Sequence, residues 1–192
     1  MTTAVNSTQT AVLGGGCFWC LEAVFDQLNG VQSVESGYAG GRAPDPSYEE
    51  VCEGTSGHAE VVKIGFNPEI LSFRDLLRVF FSIHDPTTLN RQGSDVGTQY
   101  RSVIYCQNSE QRADANAVID ELSRAKLWSQ PIMTEIADAA PFYPAEAYHQ
   151  DFLVNNPNYP YIVFNDLPKI QNLRRVLPEY FQGKPVLVTD RP

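Results

Sequence analysis

The chain has 192 residues, of which 43% are hydrophobic and 19% charged. That length suits one domain, and the apolar content can bury a core, which excludes a disordered chain, a collagen-like repeat or a disulfide miniprotein. Fourteen basic residues against 23 acidic ones leave a formal charge of −9, the wrong sign for a protein that wraps nucleic-acid phosphates.

Met1–Thr10 has neither a basic stretch nor an apolar one, so no secretory or transit leader is expected. Apolar runs such as Val79–Phe81 fall far short of the ~20 residues of a membrane span. The four cysteines, Cys17, Cys20, Cys52 and Cys106, are therefore expected as thiols in a cytoplasmic protein, any disulfide being transient and catalytic.

In chain order, Thr10–Leu13 reads as a short strand running into Gly14-Gly15-Gly16. Apolar residues at 18, 21, 24, 25 and 28 predict a helix that Asn29-Gly30 stops. Val31–Tyr38 reads as a strand, followed by a Gly- and Pro-rich loop through Ser47. Ala59–Phe66 is a strand closed by Asn67-Pro68. Ser72 and Asp75 mark the start of the clearest helix, with Phe73, Leu76, Leu77, Phe80 and Phe81 on one stripe. Asp85–Gln99 is a polar loop long enough to suspect a function. Arg101–Cys106 reads as a strand, Glu110–Lys126 as a helix begun by Asn108-Ser109, and Met133–Ala137 as the last strand. Beyond Pro141 only Leu167–Leu177 looks helical. This order predicts an α+β domain with a ferredoxin-like split β-α-β core: a mainly antiparallel sheet with helices on one face and a long irregular C-terminal segment. The whole of 1–192 is expected to be one catalytic domain, with 1–9 a flexible N-terminus and 141–192 a loop-rich extension packed on the core.

Gly14-Gly15-Gly16-Cys17-Phe18-Trp19-Cys20 lies where a strand hands over to a helix. Glycines permit a tight turn and close approach of another molecule. A thiol at a helix N-terminus is expected to have a lowered pKa. Cys20, on the same helix face, gives the pair the layout of an attacking and a resolving thiol. Two buried space-filling thiols are the plainer alternative, and a zinc site lacks a second close pair of ligands. Trp19 lies off the apolar stripe, so it either lines an apolar pocket or packs beneath the following loop. Strand alternation puts Glu60 on one face with Val62, Ile64 and Phe66 and turns Lys63 to the other. A carboxyl buried there would stay protonated and could serve as a general acid; at a frayed strand end it would simply sit in water.

Gly-Cys-Phe-Trp at 16–19 is joined in order by Ser-Gly-Tyr-Ala-Gly-Gly at 36–41, Gly-His-Ala-Glu at 57–60, Asp-Val-Gly-Thr-Gln-Tyr-Arg-Ser at 95–102, and Phe-Tyr-x-Ala-Glu-x-x-His-Gln at 142–150. Together these motifs resemble the A-type peptide methionine sulfoxide reductases, specific for the S epimer, over roughly Ala11 to Tyr159. The resemblance implies that Cys17 attacks the sulfoxide sulfur and is left as a sulfenic acid. It implies that Glu60 protonates the oxygen, joined by the hydroxyls of Tyr38 and Tyr100, and that Phe18 and Trp19 receive the methyl group. Asp95 would orient groups near the site, and His149 would support it. No metal or organic cofactor is called for. Many relatives carry resolving cysteines in a Gly-rich C-terminal tail; here no cysteine follows Cys106. Cys20 is therefore expected to condense with the sulfenic acid, and thioredoxin or a similar dithiol to reduce the disulfide. Cys52 and Cys106 stay open as relay thiols, and Asn155–Tyr161 is expected to act as cover. The partners expected are free or protein-bound methionine sulfoxide and the dithiol, with no nucleic acid and no membrane, for a monomer. A general C-x-x-C oxidoreductase, a Cys17–His149 acyl-transfer enzyme and a non-catalytic aromatic pocket are the competing readings.

Overall fold

The computed structural model describes residues 8–188. Of the segment expected to be flexible, residues 1–7 lie outside the described residues, and Gln9 already pairs with Phe66. Six strands form the main sheet: β1 (Gln9–Gly14), β2 (Val31–Ala39), β3 (Ala59–Phe66), β6 (Val103–Cys106), β7 (Glu135–Asp138) and β8 (Phe142–Pro144), in the spatial order β7-β6-β1-β3-β2-β8. The polar loop contains a two-stranded ribbon, β4 (Arg91–Gln92) with β5 (Asp95–Val96), and a 3₁₀ turn over Thr98–Tyr100. Strand pairs in the main sheet are antiparallel except β6 with β7. The sheet is thus mixed: β7 follows β6 through a long helix, and such a crossover returns the chain in the same direction.

Helices α1 (Phe18–Phe25), α3 (Phe73–Ile83) and α4 (Ser109–Ala125) supply one large apolar cluster with Leu13, Val62, Ile64, Phe66 and Ile104. The alternate residues Val12, Ala59, Val61, Val103 and Tyr105 form a second, smaller cluster, as a period of two requires when both faces of a sheet are covered. Ser72 caps α3 by accepting the Asp75 N–H, and Asn108 caps α4 by accepting the Gln111 N–H, the short oxygen side chains that helix starts favour. Among the elements that escape sequence reasoning are α2 (Tyr48–Cys52) and β8. The helix α2 is one short turn and a half opened by a capping box of Ser47 and Glu50. The strand β8 carries Pro144 and pairs only with β2, an edge position where a missing donor is tolerated.

The C-terminal segment is more ordered than its prolines suggest. It contains α5 (Phe152–Asn155), a π-helical turn at Ile162–Asp166 and α6 (Leu167–Val176). Its end is laced to the end of α1: the Gln182 N–H donates to the Gln27 carbonyl (2.9 Å) and the Val186 N–H to the Asp26 carbonyl (2.8 Å), and the Val188 N–H donates to Asp151 Oδ1 (2.8 Å). No helix among the described residues is long and apolar enough to cross a membrane.

That docking buries acids. Burial lifts Glu22 from its ordinary 4.5 to about 7 and Asp26 from 3.8 to about 8, each reinforced by neighbouring carboxylates. Both folded values lie above the unfolded ones, so the native state holds protons that the unfolded chain releases. Their stabilising effect is complete below about pH 4 and is lost as pH rises towards about 8. Thermal unfolding across that window should show Tm falling with rising pH, and Asp26→Asn should flatten the fall; an unchanged slope in the variant would remove Asp26 from the account.

Candidate active site

The end of β1, the start of α1 and the start of β3 converge. A side chain at Gly14 would put its Cβ 2.9 Å from the Glu60 carbonyl, and Gly16 turns the chain at φ +101°, a region that glycine enters without steric cost. These two glycines let β1 run close to β3 and then deliver Cys17 to the N-cap position of α1. The cap comes from elsewhere: Glu60 Oε2 accepts the Phe18 N–H at 3.0 Å, satisfying one of the free donors of a helix start. Glu60 is 1% exposed. Burial, aided by the charge of Asp95 and opposed by the Phe18 bond, pushes its carboxyl to about 8, so it is largely protonated at neutral pH. It does not lie in water at a frayed strand end.

Cys17 departs from expectation. Its thiol lies well above the ordinary value, pushed up by burial first and then by its contacts with Cys20 and Glu60, against a backbone hydrogen bond from Trp19. An eight-residue helix offers a modest dipole, and here desolvation beside an acid outweighs it. The resting site therefore holds two protons, one on Cys17 and one on Glu60.

A cavity of about 250 Å³ opens over these groups, lined by Cys17, Glu60 and Asp95 and by the rings of Phe18, Trp19, Tyr48, Tyr100, Tyr159 and Tyr161. Among the expected residues it gathers Cys17, Phe18, Trp19, Glu60, Asp95 and Tyr100. Burial and then the charge of Glu60 raise the Tyr100 hydroxyl above its ordinary value, so it stays a donor. Asp95 accepts the Tyr161 O–H at 2.6 Å, which ties the polar loop to the C-terminal segment. A second cavity of about 150 Å³, lined by Cys17, Cys20, Asp95, Tyr161 and Lys169 among others, adjoins it. Cys17 borders both.

Tyr38 is placed differently. It faces Glu60 in register across β2 and β3, but it is fully buried beneath Phe18 (ring centroids 5.8 Å) and its hydroxyl donates to Glu146 Oε2 at 2.8 Å. Tyr48, Tyr159 and Tyr161 take wall positions that sequence reasoning missed. Tyr48 enters because Glu146 Oε1 accepts its backbone N–H at 2.8 Å. The two C-terminal tyrosines were expected only as part of a covering segment. Cys106 is a core residue on β6, and Cys52 is exposed on α2.

These features match a known family. The family model for peptide methionine sulfoxide reductase covers residues 9–180. A peptide methionine sulfoxide reductase MsrA from Polynucleobacter asymbioticus is 55% identical over 166 residues, 86% of this chain and 87% of the relative. This chain belongs to the peptide methionine sulfoxide reductase family. Among solved structures, reduced Mxr1 from Saccharomyces cerevisiae is similar at a TM-score of 0.73 and 34% identity, covering 82% of this chain and 91% of Mxr1. A structure of Mxr1 in complex with Trx2 shares the fold at a TM-score of 0.51 and 22% identity, covering 79% of this chain and 89% of that chain. The chain is a thiol oxidoreductase that reduces methionine sulfoxide.

In this reductase His149 lies behind the wall and not beside the thiol. Its Nδ1 accepts the Trp19 Nε1–H at 3.1 Å. Indole is only a donor, so the proton of the neutral ring sits on Nε2, which faces Glu146 Oε2 at 3.9 Å. Burial lowers the imidazole pKa and keeps it neutral. Trp19 is held on its other side by Phe152, stacked at 3.7 Å between centroids. It therefore both lines the cavity and packs beneath the later chain, and a Cys17–His149 acyl-transfer pair has no geometric basis. His149→Phe should raise KM for a sulfoxide substrate by roughly tenfold, through an unpaired indole N–H and a displaced ring. The shape of the pH–kcat profile should not change; a kcat collapse with loss of a limb near neutrality would mark His149 as a base instead.

Proposed function

We propose that the protein reduces methionine-S-sulfoxide, free or in proteins, as a single-domain monomer of the cytoplasm with no metal or organic cofactor. Cys17 is the nucleophile and Glu60 the acid. The aromatic wall of Phe18, Trp19, Tyr48 and Tyr159 accepts the S-methyl group, and the polar end formed by Glu60, Tyr100 and Asp95 accepts the S–O group. Attack at sulfur pushes electron density onto the sulfoxide oxygen, where the Glu60 proton and the Tyr100 hydroxyl meet it. The S–S bond made by the attack and the S–O bond of the substrate then break as the oxygen bonds to the Cys17 sulfur. Methionine leaves, the proton of the Cys17 thiol ends on that oxygen, Glu60 recovers its own, and Cys17 is left as a sulfenic acid. The burial of Glu60 against the Phe18 N–H, in one cavity with Cys17, is the observation that supports its role most directly. Tyr38 acts from behind Phe18, holding Glu146 and through it Tyr48. The antiparallel order β6-β1-β3-β2, with α1 and α3 as crossings, supports reading the core as a ferredoxin-like split β-α-β unit.

Cys20 then closes a disulfide with Cys17. Its N–H donates to the Cys17 carbonyl at 3.1 Å, and both cysteines line one cavity. Thioredoxin or a similar dithiol reduces the pair; the complex of yeast Mxr1 with Trx2 supports that partner. A general C-x-x-C oxidoreductase would leave the buried acid and the aromatic cavity without work.

With dithiothreitol as reductant, the protein should convert the S epimer of a methionine sulfoxide dipeptide and leave the R epimer. Cys17→Ser should abolish turnover; equal use of both epimers, or activity surviving that substitution, would overturn the assignment. Glu60→Gln keeps a hydrogen-bond donor but loses the proton, and should slow the first turnover by ~100-fold. In the wild type the rate of methionine formation in a single turnover should decline as pH rises past about 8, where Glu60 ionises, and that limb should vanish in Glu60→Gln.

A further inference from the structure

The reduction step leaves one built feature unused. Cys20 Sγ donates a hydrogen bond to Asp166 Oδ1 and receives one from Lys169 Nζ at 3.8 Å. Asp166 is 1% exposed, and its other oxygen, Oδ2, has no hydrogen-bond partner. A buried, half-satisfied carboxylate is costly, and it is far from accidental in its placement: it ends the π-helical turn Ile162–Asp166, a rare geometry that often marks functional sites. Asp166 and Lys169 bracket the thiol in the cavity that Cys20 shares with Cys17. They take no part in the substrate cavity. The charged and titratable groups facing Asp166 are Cys20 from α1, Lys169 from α6 and Asp95 from β5.

Resting on the proposed Cys17–Cys20 chemistry, we propose that Asp166 is the general base of the resolving step, with Lys169 stabilising the thiolate it creates. Cys20 can attack only as a thiolate. Asp166 takes the Sγ proton, the Cys20 sulfur attacks the Cys17 sulfur, the S–S bond forms and the S–O bond of the sulfenic acid breaks. The departing hydroxide takes up one proton, so the single Cys20 proton that Asp166 removed is matched by the one that makes water. Cys20 is oxidised and Cys17 reduced by the same amount, and no further reductant enters. Asp166 touches a reacting atom and is a catalytic residue for this half of the cycle alone.

The test is a single turnover on the full chain without added dithiol, using one equivalent of methionine-S-sulfoxide dipeptide. Methionine, free thiols and dimedone-trapped sulfenic acid are counted over time. Asp166→Asn should release its methionine at the wild-type rate, close the disulfide ~100-fold more slowly and accumulate trapped sulfenic acid. Lys169→Gln should do the same to a lesser degree. Closure at the wild-type rate in Asp166→Asn after a normal methionine burst would overturn the role. If that variant does not fold, the wild-type profile decides. Closure should level off above about pH 6, where Asp166 is ionised, and a rate that keeps climbing with hydroxide overturns the proposal. Failure of the underlying reading looks different: no methionine burst in the wild type, or disulfide closure undiminished in Cys20→Ser.

Discussion

The hydrogen bond from the Phe18 N–H to Glu60 is the contact on which the site depends. It is at once a helix cap and the placement of an acid. A carboxyl aimed at a helix N-terminus would ordinarily be drawn toward the charged form, yet this one is buried so completely that desolvation wins and the proton stays. The same burial holds Cys17 as a thiol. A helix start, a strand start and the Cys17 thiol are thereby locked at one point, and Gly14, where a Cβ would meet the Glu60 carbonyl, makes the approach sterically possible.

Around that point the protein builds from rings rather than charges. Trp19 is held by His149 on its nitrogen and by Phe152 on its face, while Tyr159 and Tyr161 meet it edge-on. The residues 146–150 act as a brace: Glu146 fixes Tyr38 and Tyr48, His149 fixes Trp19, and Gln150 bonds the backbone of Ser36 on β2. None of the three lines the cavity. Each holds a residue that lines it or a strand beneath it, and such fixation sets a pocket's shape without touching its occupant.

The C-terminal segment completes the site from the other side. Tyr161 bonds Asp95, and the π-helical turn that follows brings Asp166 onto Cys20. One stretch of chain thus lines the aromatic cavity and supplies the polar surroundings of Cys20. Cys17 borders both cavities, so the proposed reduction of substrate and the proposed closure of a disulfide fall on two sides of a single sulfur.

Local pattern in the sequence determined much of this. The three-residue glycine run, the stripes of α1, α3 and α4, the alternation that turns Glu60 inward and the adjacency of Cys17 and Cys20 are short-range properties, set by backbone sterics and periodicity. The tertiary structure decided what depends on distant chain. Tyr38 could not be told from Tyr48 as a wall residue, because Glu146, about a hundred positions away, determines where both sit. The rise of the Cys17 pKa is invisible in the helix-start motif, since burial is a property of the assembled core. The parallel placement of β7 and the edge strand β8 followed from pairings no local period encodes. Asp166 lies 146 positions from Cys20, beyond the stretch Asn155–Tyr161 that was expected to act as cover, and a carboxylate gains chemical meaning only from the atom that folding sets against it.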